Sequence, residues 1–174
     1  MTNQVLDVIK TRRSCKKYTD EVVDDSLLDL ILEAGTYAPT GKNMQSPIIV
    51  CVKNKELRDK LSKLNSKILG VDIDPFYNAP VVVCVLFDKT KPTGIYDARC
   101  VLENMMLAAT SLNVDSCWIH RCKEMFETTE GKEILTSLGI SGDYEGCGNL
   151  ILGYRICEIN QNKPRKENYI YKVE

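Results

Sequence analysis

The segment "TRRSCKKYTD", residues 11–20, concentrates positive charge around one small hydroxyl group. It contains Ser14 and the four cations Arg12, Arg13, Lys16 and Lys17. Arginine offers a rigid fork of donors, lysine a point charge and serine a short hydroxyl donor, a combination suited to binding phosphate. The alternative is a solvated helix end, where basic side chains meet the negative pole of the helix. The residue types alone leave both interpretations open.

A second basic group lies near the C-terminus, in the segment "NKPRKENYIY". It consists of Lys163, Arg165 and Lys166. Phosphate sites are often assembled from distant segments, although a solvated terminus has the same composition. The formal net charge of the chain is −1, so both clusters are local. No overall basic field is present to attract nucleic acid or an anionic membrane surface, and neither partner is expected.

The loop "YAPTGKNMQSP" is the third segment with possible chemistry. Thr40, Asn43 and Gln45 supply hydrogen-bond donors and acceptors, and Gly41 permits close approach of the backbone to a flat ligand. Pro, Gly and Asn serve equally well in a simple connection between a helix and a strand. The loop is therefore either a polar border of a binding site or a connector.

The cysteines and the single histidine argue against a metal site. The chain has 8 Cys and 1 His, namely His120, and no Cys-x-x-Cys pair. Cys51 and Cys84 lie inside apolar runs, as free buried thiols do. We therefore expect no metal, no disulfide scaffold and a reducing cytoplasmic location. The apolar run over residues 81–87 is too short to cross a bilayer, and no membrane association is expected.

The elements that position these segments follow from apolar spacing. Helices are predicted from near Val5 to Arg13, from the "DD" pair to Gly35, in "NKELRDKLSKLN", over residues 95–113 and in "TEGKEILTSL". Strands are predicted at residues 47–52 and in "APVVVCVLF", "SCWI" and "NLILGY". There is no regular βαβ repeat, Gly-x-Gly-x-x-Gly motif or Walker loop. We therefore predict one α+β domain over residues 1–174.

Five motifs together resemble the nitroreductase family of FMN-dependent oxidoreductases. They are "RRSCKKY", "YAPTGKNMQSP", "LENMMLAATSLNVDSCWI", "LILGY" and "KPR", in the order seen in its short members. The resemblance covers nearly the whole chain. It implies a nitroreductase-like fold, with a central, mostly antiparallel sheet flanked by helices, in an intertwined homodimer. The long apolar helix over residues 95–113 is expected at the dimer core; the alternative is a central helix of a monomer.

The resemblance also implies positions that bind FMN at the subunit interface. Those implied at the phosphate are Arg12, Arg13, Ser14 and Lys16, completed by Lys163 and Arg165. Those implied beside the isoalloxazine, from the neighbouring subunit, are Pro39, Thr40, Gly41 and Asn43. Backbone near Ile119 and His120 is implied to face flavin N5, and Asn65 the pyrimidine edge.

The sequence departs from this family at two places. Many relatives have glycine just after the tryptophan-isoleucine pair, whereas here His120 and Arg121 follow Ile119. A side chain there narrows the pocket over the flavin or contacts the substrate, although His120 also suits a surface histidine at a strand end. The chain further lacks the long insertion that covers the substrate pocket in larger relatives, which implies more open access.

The activity implied by the resemblance is ping-pong hydride transfer through flavin N5. NADH or NADPH is the expected electron donor, and a small molecule such as a nitroaromatic or a quinone is the acceptor. No catalytic side chain is expected, since reduced flavin and solvent supply electrons and protons. The alternatives are a flavin-binding carrier or sensor without turnover, and a related flavin enzyme acting by dehalogenation or by oxidation of a biosynthetic intermediate.

Overall fold

The computed structural model describes residues 3–156, 158 and 164–174 of the chain. Its helices are α1 (Gln4–Thr11), α2 (Asp25–Thr36), α3 (Lys55–Leu69), α4 (Gly94–Ser111), α5 (Cys122–Glu127) and α6 (Thr129–Ser137). Its strands are β1 (Pro47–Val52), β2 (Val81–Asp88), β3 (Asp115–Ile119) and β4 (Tyr144–Gly153). A single 3₁₀ turn at Gly41–Asn43 precedes β1. Helices and strands are therefore mixed along the chain, and the predicted α+β class is confirmed.

The four strands form one sheet in the order β1-β2-β4-β3. Every neighbouring pair is antiparallel, with Pro47 opposite Phe87 in the first pair and Cys117 opposite Ile151 in the last. The sheet is thus antiparallel throughout its described strands. Since β3 lies at one edge and β1 at the other, the segments leading into these strands occupy opposite sides of the molecule.

Both faces of the sheet are covered by helices. Strand β2 shows this alternation. Val81, Val83 and Val85 pack with α2 and α4, whereas Val82, Cys84 and Leu86 pack in the cluster that includes α3, α5 and α6. Residues Val81 to Phe87 are all buried. A strand buried on both faces has no solvated side, which explains its continuous apolar sequence.

Two elements expose apolar surface within this single chain. Helix α1 has no buried residue, and its apolar side chains Val5 and Ile9 are 66% and 50% exposed. Helix α4 packs against α2 and the sheet through residues such as Met105, but Tyr96 remains 62% exposed. These exposed apolar side chains suit contact with another surface.

The sequence-based boundaries differ from the structure mainly after β3. Strand β4 begins at Tyr144, five residues before the predicted "NLILGY", and α5 was not predicted. The extension contains Gly146, where a Cβ atom would lie 2.3 Å from the backbone oxygen of Cys122. Glycine is there because another backbone approaches closely, not because the chain turns. Among the described residues, no helix has the length and hydropathy needed to cross a membrane.

Candidate functional site

The basic N-terminal arm runs beside the edge strand β3. After α1 ends at Thr11, Ser14 forms a parallel bridge with Ser116, and the Cys15 N–H donates to the Ser116 carbonyl at 3.0 Å. Further along, the Thr19 N–H donates to the Tyr154 carbonyl at 2.8 Å. The arm is thus held in a fixed position at the β3 edge of the sheet.

Three of the predicted phosphate ligands converge at this edge. Burial raises the pKa of the Cys117 thiol, while a hydrogen bond with Ser14 and the charges of Lys16 and Arg12 oppose that rise. Arg12 and Lys16 therefore create a positive field at one place, beside the Ser14 hydroxyl, which favours an anion. The Lys16 ammonium also lies 5.7 Å from the centre of the Tyr77 ring, so the arm contacts the loop before β2.

Of the remaining predicted phosphate ligands, Arg13 is bonded elsewhere. The Arg13 guanidinium donates to the carbonyl groups of Lys10 at 2.8 Å and Arg12 at 2.6 Å. It therefore serves the end of α1, which was the alternative interpretation of the cluster. Arg165 is exposed, and Lys163 lies outside the described residues.

The loop before β1 is fixed by a buried carboxylate. Asp97, which is 5% exposed, accepts hydrogen bonds from the Gly41 N–H at 3.1 Å and from the Thr93 hydroxyl at 3.0 Å. A Cβ atom on Gly41 would lie 2.3 Å from the Thr93 Oγ1 atom. Glycine at this position is required by close packing, and the loop is anchored to the start of α4.

The tip of this loop has an unusual backbone conformation. Lys42, Asn43 and Gln45 have φ angles of 53°, 55° and 47°, in the left-handed region that side chains disfavour by about 1–2 kcal/mol each. The Gln45 N–H donates to the Thr40 hydroxyl at 3.2 Å, and its side-chain amide donates to Asn43 Oδ1 at 3.1 Å. Pro39 and Asn43 are exposed. The loop is thus a preformed polar surface.

The basic arm and this loop lie at diagonally opposite corners of the sheet. Ser116 pairs with Leu152 at one end of the β3 edge, whereas Pro47 pairs with Phe87 at the other end of the sheet, on the β1 edge. Three strand spacings and the length of a strand separate the two corners by roughly 20 Å. One small ligand therefore cannot contact both corners of the same chain.

The turn from β3 to α5 is held by two buried asparagines. The Asn65 Nδ2 atom donates to the His120 carbonyl at 2.9 Å, and Asn65 Oδ1 accepts from Arg121 Nε at 3.0 Å. Asn149 Nδ2 lies 3.4 Å from the carbonyl groups of Ile119 and His120. Both asparagine side chains have 0% exposure. The structure thus brings together the sequence-predicted positions Asn65, Ile119 and His120. It adds Asn149, whose only signal in the sequence is its polar side chain within an apolar strand.

Comparison with known proteins identifies the family of this chain. A sequence model described as the nitroreductase family matches residues 9–75. A putative NADH dehydrogenase/NAD(P)H nitroreductase of Methanothermobacter thermautotrophicus is 32% identical over 118 residues, which span 66% of this chain and 59% of that protein. The FMN reductase [NAD(P)H] of Bacillus subtilis is 33% identical over 89 residues, or 51% of this chain and 34% of that protein.

Solved structures are similar over the full length. A nitroreductase with bound FMN from Bacteroides fragilis has a TM-score of 0.91 and 32% identity, covering 99% of this chain and 100% of that chain. A nitroreductase with bound FMN from Desulfitobacterium hafniense has a TM-score of 0.89 and 28% identity, covering 100% of both chains. The fold is therefore that of a nitroreductase. The chain belongs to the nitroreductase family.

Proposed function

We propose that the chain is an FMN-dependent oxidoreductase that uses NADH or NADPH to reduce a small organic acceptor, such as a nitroaromatic or a quinone. The observation that carries this proposal is the basic arm held against the β3 edge by the bridge between Ser14 and Ser116, with the Arg12 and Lys16 charges acting at the same edge. The names of the sequence relatives and the FMN bound in the two similar structures support the same activity.

The described residues fit FMN in charge and in spacing. Arg12, Ser14 and Lys16 would hold the phosphate, with about 1.5–3 kcal/mol for each hydrogen bond to a charged group. From Ser116 to His120, the edge of β3 extends ~13 Å, so an FMN molecule whose phosphate binds at the basic arm reaches the fixed turn with its ring. When bound there, FMN supplies the redox chemistry, accepting a hydride and passing electrons to an acceptor.

The chain itself would bind and orient the reactants. The arm fixes the phosphate, and the turn held by Asn65 and Asn149 offers rigid backbone groups to the ring. Rigid hydrogen-bonding groups stabilise the charge that develops in the transition state, because they need not reorganise during the reaction. No acid–base side chain is needed in this mechanism, because solvent can supply the protons.

We further propose that the site is completed by a second copy of the chain. The Pro39–Asn43 loop lies too far from the arm to act in the same chain, so a partner must present it. Exposed apolar side chains on α1 and α4 support such an association, as does a groove of about 380 Å³ between α1, α2 and α4 lined by Val5, Val8, Ala34 and Leu107. Sedimentation of the FMN-bound protein as a monomer at micromolar concentration would contradict this assembly.

The first experiment is a spectrum of the purified protein followed by anaerobic mixing with NADH or NADPH. Bleaching of the flavin band, and its return on addition of a quinone or nitroaromatic, is the expected result. Persistent colour with both nucleotides would favour a flavin carrier or sensor. A colourless protein that ignores added FMN would refute the proposal.

The second experiment tests the phosphate assignment. Arg12→Ala combined with Lys16→Ala should weaken FMN affinity by about 10²–10⁴-fold, the equivalent of two charged hydrogen bonds, with little change in melting temperature. Arg13→Ala is the matched control, since its guanidinium is bonded to backbone carbonyl groups, and FMN affinity should change little. Equal FMN affinity in the double variant and the wild type would exclude this phosphate site.

A further inference from the structure

Arg121 has a backbone conformation that its side chain disfavours. Its φ and ψ angles are 73° and 13°, in the left-handed region, at the start of α5. A residue with a Cβ atom pays about 1–2 kcal/mol for this conformation, whereas glycine adopts it without that cost. The backbone conformation alone is therefore better served by glycine at this position. The arginine side chain must contribute something else.

The guanidinium of Arg121 is held at one end and unpaired at the other. Its Nε atom donates to Asn65 Oδ1 at 3.0 Å, and the residue is half-buried. Among the residues that the structure describes, no carboxylate forms an ion pair with Arg121, and its two terminal nitrogens donate to no acceptor. A half-buried cation without a counter-charge is unfavourable. The nearby Lys123, by contrast, is paired with Glu145 at 3.2 Å.

Asn65 orients the side chain of Arg121 through a hydrogen bond. Its side chain is completely buried, and its two polar atoms are bonded to Arg121, the His120 carbonyl and the sulfur of Met125. Asn65 thus has no donor left to offer a ligand at the turn. Arg121 keeps its terminal N–H donors available, and the hydrogen bond to Asn65 fixes the plane in which they lie.

We propose that Arg121, oriented by Asn65, is a specificity-determining residue that binds a carboxylate or sulfonate group on the electron acceptor. This inference rests on the proposed function, because the acceptor reacts beside the turn that contains Arg121. A planar guanidinium with free terminal N–H groups matches an oxyanion in two parallel hydrogen bonds. The protein therefore prefers acidic aromatic acceptors to neutral ones of the same ring system.

The test compares 1,2-naphthoquinone-4-sulfonate with 1,2-naphthoquinone as acceptors. In Arg121→Gln, kcat/KM for the sulfonate should fall at least tenfold more than kcat/KM for the neutral quinone. Arg121→Lys should retain part of the preference, because it keeps the charge without the fork. Lys123→Gln removes a neighbouring positive charge that is already paired, and it should leave the ratio of the two acceptors unchanged.

Binding without turnover gives a second measurement. Calorimetric titration of the oxidised holoprotein with naphthalene-2-sulfonate should show at least a tenfold weaker dissociation constant for Arg121→Gln than for the wild type. Arg121→Gly should lose the same preference and remain folded, because relief of the left-handed strain offsets part of the lost hydrogen bond to Asn65. A lost preference in this well-folded variant separates recognition from a folding defect.

Three results would overturn the inference. The first is an equal fall for both quinones together with a lower flavin reduction potential, which would place the Arg121 charge on the flavin ring. The second is a slower flavin reduction by NADPH, with unchanged acceptor ratios, which would assign it to the nucleotide phosphate. The third is an unchanged sulfonate affinity. Absence of flavin reduction in the wild type would instead refute the proposed function itself.

Discussion

Removal of the Asp97 carboxylate tests how the loop before β1 is anchored. In Asp97→Ala, the Gly41 N–H and the Thr93 hydroxyl lose their shared acceptor inside a site that is 5% exposed. Hydrogen bonds to a charged group are worth about 1.5–3 kcal/mol each. Part of this loss is offset, because the described residues give Asp97 no cationic partner and its burial carries a desolvation cost. We expect a net loss of about 3 kcal/mol.

Thermal unfolding and limited proteolysis measure this effect together. For a chain of this length, about 3 kcal/mol lowers the melting temperature by roughly 6–12 °C. Trypsin should also cleave faster after the exposed Lys42, since the released loop gains mobility. Asp143→Ala is the control, because its pair with Lys89 at 3.3 Å is largely exposed and contributes about 1 kcal/mol or less. A melting temperature within ~2 °C of the wild type and unchanged cleavage would refute the anchoring role.

Three further predictions concern stability and thiol chemistry. Burial raises the pKa of Asp74, but hydrogen bonds led by Arg58 outweigh burial and hold that pKa below 3.8. The ionised carboxylate therefore stabilises the fold above that pH, and this stabilisation is lost on acidification. In urea titrations, the free energy of unfolding of Asp74→Asn should fall less below pH 4 than that of the wild type. Burial raises the pKa of Cys147 to about 11, so its alkylation by iodoacetamide, followed by mass spectrometry, should be slow at neutral pH and accelerate toward pH 11; rapid neutral labelling would contradict this. Gly41→Ala places a methyl group against Thr93 and should cost about 1–3 kcal/mol in chemical denaturation, whereas an unchanged midpoint would show that the loop yields freely.

Much of the fold could be predicted from the sequence because its signals are local. The unbroken apolar run of β2 indicates a strand covered on both faces, and the structure confirms this. The first half of β4, "YEGCG", gives little strand signal, because glycine is depleted in strands. The reason for Gly146, the close approach of the Cys122 backbone, is a contact between segments distant in sequence, which periodicity cannot reveal.

The candidate site was predictable in its residue types but not in their directions. Arg12 and Arg13 are adjacent and chemically identical, yet only Arg12 acts on the environment of Cys117, because the Arg13 guanidinium bonds to backbone carbonyls at the end of α1. The resemblance implies Asn65 at the pyrimidine edge of FMN, and spacing could not reveal that its side chain is fully buried and bonded to the turn after β3. Such outcomes depend on tertiary hydrogen bonds, for which sequence spacing carries no signal.

The diagonal placement of the basic arm and the Pro39–Asn43 loop has a genetic consequence. In the proposed dimer, each site takes its arm from one chain and its loop from the other. When an arm-defective chain pairs with a loop-defective chain, both defects fall in one site and the second site is intact. Co-expression of two inactive variants should therefore restore roughly a quarter of wild-type activity if the chains pair at random. Two variants that are each inactive alone would therefore be active together.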